Sequence, residues 1–184
     1  MAEDGINDIV RVSFYNTQAY GRVDSPYVCS DQDPDTDLGN MTKYCHEERY
    51  QTCTANVLCP FPEAGGDCTT AGQNKVVDFL ACSEGMPYDQ QGTTDFADTW
   101  PCADELFSDD EKSNILSCYD PDNAEAPAVA LIDQMQNITD SANPAVTYFP
   151  DVRIDGVQYS GSSSYRLVKT ICDAYTGANK PAAC

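Results

Sequence analysis

The chain has 184 residues, about the size of one globular domain, and its 41% hydrophobic residues are enough for a single core. Its formal net charge of −20 repels phosphate backbones and anionic lipid headgroups, which disfavours nucleic acid and membrane surfaces as partners and favours basic partners or cations. The longest apolar run, residues 126–132, ends at Asp133 and is too short to span a membrane. We therefore predict one acidic domain over residues 1–184.

The cysteine content predicts the compartment. Ten cysteines in so short a chain are typical of an environment in which thiols oxidise. This favours a secreted, lysosomal or other lumenal protein, in which each cysteine is more plausibly part of a structural disulfide than redox-active or metal-bound. The disulfide candidates are Cys29, Cys45, Cys53, Cys59, Cys68, Cys82, Cys102, Cys118, Cys172 and Cys184.

Two further features bear on export. Asn40 and Asn137 each begin an N-glycosylation sequon, so both are glycosylation candidates. Residues 1–5 are acidic, and no apolar segment of a signal peptide follows them. We therefore expect this sequence to be a mature or truncated form, with Met1 either internal to a longer precursor or added.

The first half of the chain predicts little regular structure. Residues 9–15 (IVRVSFY) alternate and are rich in β-branched and aromatic side chains, which predicts a strand. Residues 24–72 contain five cysteines and many Asp, Pro and Gly residues without a sustained period. We predict a Cys-rich loop region there, shaped by disulfides, with one short helix around 41–51.

Residues 73–138 predict a helical region. Grouped apolar residues predict a helix from Gln73 to Cys82. Ser108 with Glu111 is the pattern of a capping box that opens a helix to about Cys118. Asp122 is suited to cap a further helix over about 124–138.

The last part, residues 146–184, predicts a hairpin and a helix. Two apolar segments, 152–154 and 157–159, flank an Asp-Gly pair, the signal of a two-residue turn. Ser162 or Ser163 then caps a final helix that ends at Gly177. Strand, helices, hairpin and helix are the order of the later part of a thioredoxin-like domain, in which a proline precedes the hairpin.

Several motifs resemble one known family. Cys45-His46, followed by Cys53, resembles the CQHGxxEC motif of the gamma-interferon-inducible lysosomal thiol reductase family, and Asn56 matches the Asn that follows it. The end of the chain, from Ile171 to Cys184, is the closest match. Further matches are residues 79–84 (FLACSE), Cys102 and Cys118 by their spacing, residues 148–150 (YFP) and residues 154–156 (IDG).

This resemblance implies an α/β, thioredoxin-like fold in an incomplete or modified form, with a disulfide-rich N-terminal region and a helical insertion. Residues 8–15 match the family's second strand, while its first strand, CxxC and first helix have no counterpart here. Thiol reduction needs a stabilised thiolate and a neighbouring thiol that resolves the mixed disulfide. The resemblance therefore implies a non-catalytic binding or structural subunit. Two alternatives are a truncated copy of a thiol reductase whose CxxC lies upstream of Met1, and an acidic cation-binding protein.

The predicted site is correspondingly sparse: no catalytic residue, no metal and no cofactor. Phe149 and Pro150 form a candidate binding loop, since a cis-proline there would present backbone to an extended peptide, although a purely structural turn is the stronger interpretation. The absent first strand would leave unpaired edges beside residues 9–15, so we expect a protein partner, and completing the sheet is one role open to it. Two disulfides, Cys102–Cys118 and Cys172–Cys184, are predicted because each pair brackets one short helical segment.

Overall fold

The computed structural model describes residues 6, 10–11, 41–60, 68–84, 101–120, 123, 126–142, 145–146, 152–159 and 164–184. These residues form six helices and one hairpin: α1 (Met41–Leu58), α2 (Thr70–Glu84), α3 (Pro101–Leu106), α4 (Asp109–Tyr119), α5 (Pro127–Asp140), β1 (Val152–Ile154), β2 (Val157–Tyr159) and α6 (Ser164–Ala174). Contacts group the chain into two compact units, residues 1–12 with 139–184 and residues 13–138, and each is described by itself.

Helix α1 is the centre of the larger unit. Every residue from Arg49 to Ala55 is buried, so this stretch of the helix has no solvent face. Tyr50 lies at the middle of an aromatic group, with its ring centroid 5.7 Å from Phe79 of α2 and 5.6 Å from Tyr119 of α4. Tilted and edge-on ring pairs at these distances are attractive beyond the area that they bury. Helices α1, α2 and α4 therefore share one core.

The remaining helices of this unit extend the same core. Phe107, directly after α3, packs with its ring 5.2 Å from Phe79. The buried members of the cluster are Tyr50, Cys53, Phe79, Cys102, Ala103, Phe107, Ile115, Cys118, Tyr119 and Ala128. Leu131 of α5 packs against this cluster from a partly buried position. The core thus draws side chains from all five helices that the structure describes in this unit.

The corner between α1 and α2 depends on a glycine. A Cβ atom on Gly72 would overlap the carbonyl oxygen of Leu58, the last residue of α1, so only glycine allows this approach. Thr69 caps α2, since its hydroxyl accepts a hydrogen bond of 3.0 Å from the Gly72 amide. The Cys59–Cys68 disulfide closes the same corner. Cap, close approach and disulfide together fix the turn between the two helices.

Helix α4 begins with the capping box that the sequence predicts. The Ser108 hydroxyl accepts from the Glu111 amide, and the Glu111 carboxylate accepts from the Ser108 amide at 2.8 Å. Lys75 of α2 donates to both Glu111 carboxylate oxygens at 2.7 Å. These hydrogen bonds, that from Lys75 first, lower the pKa of Glu111 below its ordinary value. One carboxylate thus caps α4 and ties α4 to α2.

The predicted hairpin with a two-residue turn is confirmed. Asp155 and Gly156 have φ values of 49° and 77°, the left-handed conformation that such a turn requires at both positions. The strands pair antiparallel with Val152 opposite Tyr159. Helix α6 packs against β1, and among the described residues this hairpin is the only sheet. The described fold is therefore mostly helical.

Several predicted elements differ from the structure. The helix predicted around 41–51 continues to Leu58. Its residues 49–55 are all buried, so this stretch has no apolar stripe that would reveal the length of the helix. Helix α5 starts at Pro127 rather than near 124, because proline is well suited to a first helical position. Helix α3 is absent from the predictions, and α6 ends at Ala174, before Gly177. The helix from Gln73 to Cys82 is confirmed within α2.

Some predictions fall mainly outside the described residues. In the strand predicted over 9–15, the structure describes Val10 and Arg11, neither of which is in a strand, so this strand stays a prediction. The caps Asp122, Ser162 and Ser163 lie outside the described residues. The hairpin followed by α6 has the order of the end of a thioredoxin-like domain, but the described strands do not by themselves define that fold.

The Lys75–Glu111 pair predicts an acid-sensitive contribution to stability. Replacing Glu111→Gln keeps a side chain suited to the capping box and removes the ion pair. The two side chains are 36% and 27% exposed, so we expect a loss of less than about 1 kcal/mol in the free energy of unfolding at neutral pH. Because the folded-state pKa is lowered, the stabilisation is present above the unfolded-state pKa and disappears as the pH falls through the folded-state value.

Denaturant unfolding of both proteins across the acid range measures this difference. Glu105→Gln, at an exposed position of α3, is the matched control and should remain close to the parent protein throughout. An equal deficit of Glu111→Gln at neutral and at strongly acid pH would contradict the assignment.

Candidate functional site

The candidate site is the set of disulfides, because the resemblance in sequence is to thiol reductases, whose chemistry is carried by cysteines. Four disulfides are described: Cys53–Cys118, Cys59–Cys68, Cys82–Cys102 and Cys172–Cys184. Among the described residues no cysteine is free. This pattern indicates an oxidising, extracellular-type environment.

The Cys53–Cys118 disulfide lies inside the core. It joins α1 to α4 across 65 residues of sequence, and its two cysteines are 0% and 7% exposed. Cys53 follows Tyr50 by three residues, so both project from the same face of α1. This bond and the Tyr50 aromatic contacts therefore hold the same pair of helices.

The other disulfides each have a more accessible end. Cys82, in the last turn of α2, is exposed, whereas its partner Cys102, the second residue of α3, is 1% exposed. Cys172 is buried on α6 while Cys184 is exposed. Lys180 donates to the Cys172 carbonyl oxygen at 2.8 Å, which places a cation at the C-terminal end of α6, where the helix dipole favours it.

One predicted disulfide is confirmed and the other is wrong. Cys172–Cys184 forms as predicted. Cys102 and Cys118 do not pair, although they bracket one helical stretch, because Cys102 bonds to α2 and Cys118 bonds to α1. These pairings follow from the packing of α3 on α2 and of α4 on α1. The spacing of cysteines in the sequence does not reveal which helices pack together.

Arg49 is a buried residue that the sequence analysis did not identify. It is 0% exposed, and its Nη1 donates to the Asp120 carbonyl oxygen at 3.0 Å and to the Asn123 carbonyl oxygen at 3.4 Å. Asp120 is the C-cap of α4, so the guanidinium lies where the helix dipole is negative. The signal in the sequence was the spacing: Arg49 lies four residues before Cys53 and therefore on the same face of the helix.

The charges of the chain are unevenly distributed. Residues 139–184 contain four acidic and four basic side chains, so the net charge of −20 resides in residues 1–138.

At the start of α4, Lys112 lies 3.2 Å from Asp109 and 3.4 Å from Asp104, and these carboxylates, that of Asp109 first, raise the pKa of Lys112. On α6 the hydrogen bond from Lys169 lowers the pKa of Asp173.

The described residues present no assembled metal centre: they contain no group of three or more His, Cys, Asp or Glu side chains placed to hold an ion. Within the same residues, no helix combines the length and apolarity needed to cross a membrane. Asp104, Asp109 and Lys112 are a network of surface ion pairs.

The predicted site residues are placed as follows. Phe149, Pro150, Cys29 and Asn40 lie outside the described residues, so the proposed cis-proline loop stays a prediction. Cys45 lies in α1. Asn137 lies in the exposed part of α5. The structure therefore brings together eight of the ten candidate cysteines, as four structural pairs.

Comparisons with protein-family models, with curated proteins and with solved structures found no match to this chain.

The exposure of the sulfur pairs predicts an order of reduction. A thiolate must reach a sulfur to attack it, so the disulfides with an accessible end should open first and Cys53–Cys118 last. Titration with dithiothreitol, followed by alkylation and peptide mapping, measures the order. Labelling in denaturant, where all pairs are accessible, is the control; labelling of Cys53 and Cys118 ahead of Cys82 in the folded protein would contradict the prediction.

The burial and hydrogen bonds of Arg49 predict that even a conservative substitution there lowers the free energy of unfolding. Arg49→Lys keeps the positive charge but replaces the guanidinium fork with one ammonium group, which should cost about 1–3 kcal/mol in the free energy of unfolding. Arg166→Lys, at an exposed position of α6, is the control, and we expect a change within about 0.5 kcal/mol. Equal, small effects in urea unfolding would show that Arg49 is not a structural cap.

Proposed function

We propose that this chain is a non-catalytic protein of the gamma-interferon-inducible lysosomal thiol reductase type, acting as a binding or structural subunit of a lumenal or extracellular assembly. The observation that carries the proposal is the state of its cysteines: eight of them form four disulfides in the described residues, and the sequence contains no CxxC pair. The four bonds join helices to one another or to adjoining segments, which is a structural use of cysteine.

The Cys82–Cys102 pair supplies a further argument against thiol chemistry. A reductase needs its attacking sulfur to be both exposed and stabilised as a thiolate, usually at a helix N-terminus. Here Cys82 is exposed but lies at the negative, C-terminal end of α2, whereas Cys102 lies at the start of α3 and is 1% exposed. The two requirements fall on different residues of the pair.

The finer classification, a modified thioredoxin-like domain without its first strand, CxxC and first helix, is part of this proposal. Its support is the end of the chain, where the hairpin is followed by α6 and closed by Cys172–Cys184. The same segment has the strongest family resemblance in sequence.

The expected partner is a protein with a basic surface. The net negative charge belongs to residues 1–138, which include the exposed side chains of Asp104, Glu105 and Asp110. Opposite charges steer association and suppress binding of like-charged partners. A cationic protein in the same compartment therefore fits better than nucleic acid or an anionic membrane.

An insulin-reduction assay with dithiothreitol as electron source tests the absence of thiol catalysis. We expect insulin precipitation at the rate of dithiothreitol alone, because the sequence contains no CxxC pair and the described disulfides join helices and helix junctions. Fully alkylated protein is the negative control. Turnover above the control would overturn the proposal, and its loss in a variant carrying both Cys82→Ser and Cys102→Ser would assign the activity to that pair.

A further inference from the structure

Helix α5 has two well-separated faces. Its buried side chains are Ala128, Ile132 and Met135, which recur at the spacing of one helix face. Its exposed residues are Pro127, Ala130, Asp133, Asn137 and Asp140. Asn137 therefore lies on the outward stripe of an amphipathic helix, and its side chain is directed to solvent.

Asn137 also opens the tripeptide Asn137-Ile138-Thr139, the acceptor pattern for N-linked glycans. A sequon carries a glycan only in the secretory pathway, and only where the folded surface leaves room for a bulky polar group. The four disulfides indicate the compartment independently of the sequon, and the exposed stripe of α5 provides the room. We propose that Asn137 is an N-glycosylation site, a proposal that rests on the lumenal location in the proposed function and not on the binding role.

The chemistry is a group transfer to the side-chain amide. The Asn137 Nδ2 atom attacks C1 of a polyprenyl-pyrophosphate-linked oligosaccharide, the co-reactant of the transferase. The bond from C1 to the pyrophosphate oxygen breaks, the C1–Nδ2 bond forms, and Nδ2 loses one proton. The polyprenyl pyrophosphate leaves, and no oxidation or reduction takes place. Thr139, which is partly exposed, supplies the hydroxyl that the acceptor pattern requires.

The surroundings of Asn137 are compatible with this group in the folded state. The residues one turn away on its face, Asp133 and Asp140, are exposed and charged, so the glycan would cover polar surface. The buried face of α5 is directed away from it, so attachment requires no opening of the core. A glycan here would add a hydrated layer along one side of α5 and exclude a partner from that side.

The test uses the full chain, directed into the secretory pathway of a eukaryotic cell by an appended signal peptide. Protein recovered from the lumen and the medium is treated with a peptide N-glycosidase that converts a glycosylated Asn into Asp. We expect a gain in gel mobility and conversion of Asn137 to Asp, read by mass spectrometry of the peptide that contains it.

Matched variants separate this site from the second sequon and from misfolding. Asn137→Gln and Thr139→Ala should each remove one mobility step, whereas Thr139→Ser retains an acceptor hydroxyl and should keep it. Asn40→Gln should leave the Asn137 modification unchanged. Because Asn137 is exposed and glutamine has a higher helix propensity than asparagine, Asn137→Gln should fold with its disulfides intact.

Recovery of lumenal protein with its disulfides formed and Asn137 unmodified would overturn the inference. That outcome would leave the proposed non-catalytic role standing, because the insulin assay tests the absence of thiol catalysis separately. Loss of the mobility step in Thr139→Ser as well as in Thr139→Ala would also count against it, since a hydroxyl-dependent acceptor tolerates serine.

Discussion

The attachment of α1 to α4 is the constraint on which the larger unit depends. Tyr50 and Cys53, three residues apart, project from one face of α1 toward Tyr119 and Cys118 at the end of α4. A disulfide that closes 65 residues removes about 4 kcal/mol of chain entropy from the unfolded state in the chain-entropy model. The aromatic contacts then need only orient helices that the bond already keeps together.

This attachment explains why a charged side chain is tolerated in the core. A buried guanidinium is costly to remove from water unless its hydrogen bonds and charge are compensated. Arg49 lies at the point where α4 ends, and carbonyl groups there have lost their helical partners. The two carbonyl oxygens, of Asp120 and Asn123, also accept backbone amides, and they give the buried Nη1 the acceptors that it loses from water. The Cys53–Cys118 bond holds α1 against α4 at this point.

The difference between what the sequence predicted and what it missed follows from the range of each signal. The capping box at Ser108, the Asp155-Gly156 turn and the Cys172–Cys184 bond are local, and all three are confirmed. Helix α1 was predicted too short because its fully buried stretch, residues 49–55, has no apolar stripe, and α3 was missed because it has only six residues. The pairings of the core cysteines depend on helix packing, which spacing does not encode. The binding loop at Phe149 and Pro150 lies outside the described residues and stays a prediction.

The strongest argument against the proposed absence of thiol chemistry comes from the disulfide at the corner between α1 and α2. Cys68 is partly exposed and immediately precedes the cap of α2, where a helix dipole favours a thiolate. Its partner Cys59 is 8% exposed, and eight residues lie between them. The same corner contains the close approach of Gly72 to Leu58, so opening this bond would release a packed helix junction. A catalytic disulfide must open at little structural cost, and this one is built into the turn that positions two helices. The position of this bond is therefore that of a structural disulfide.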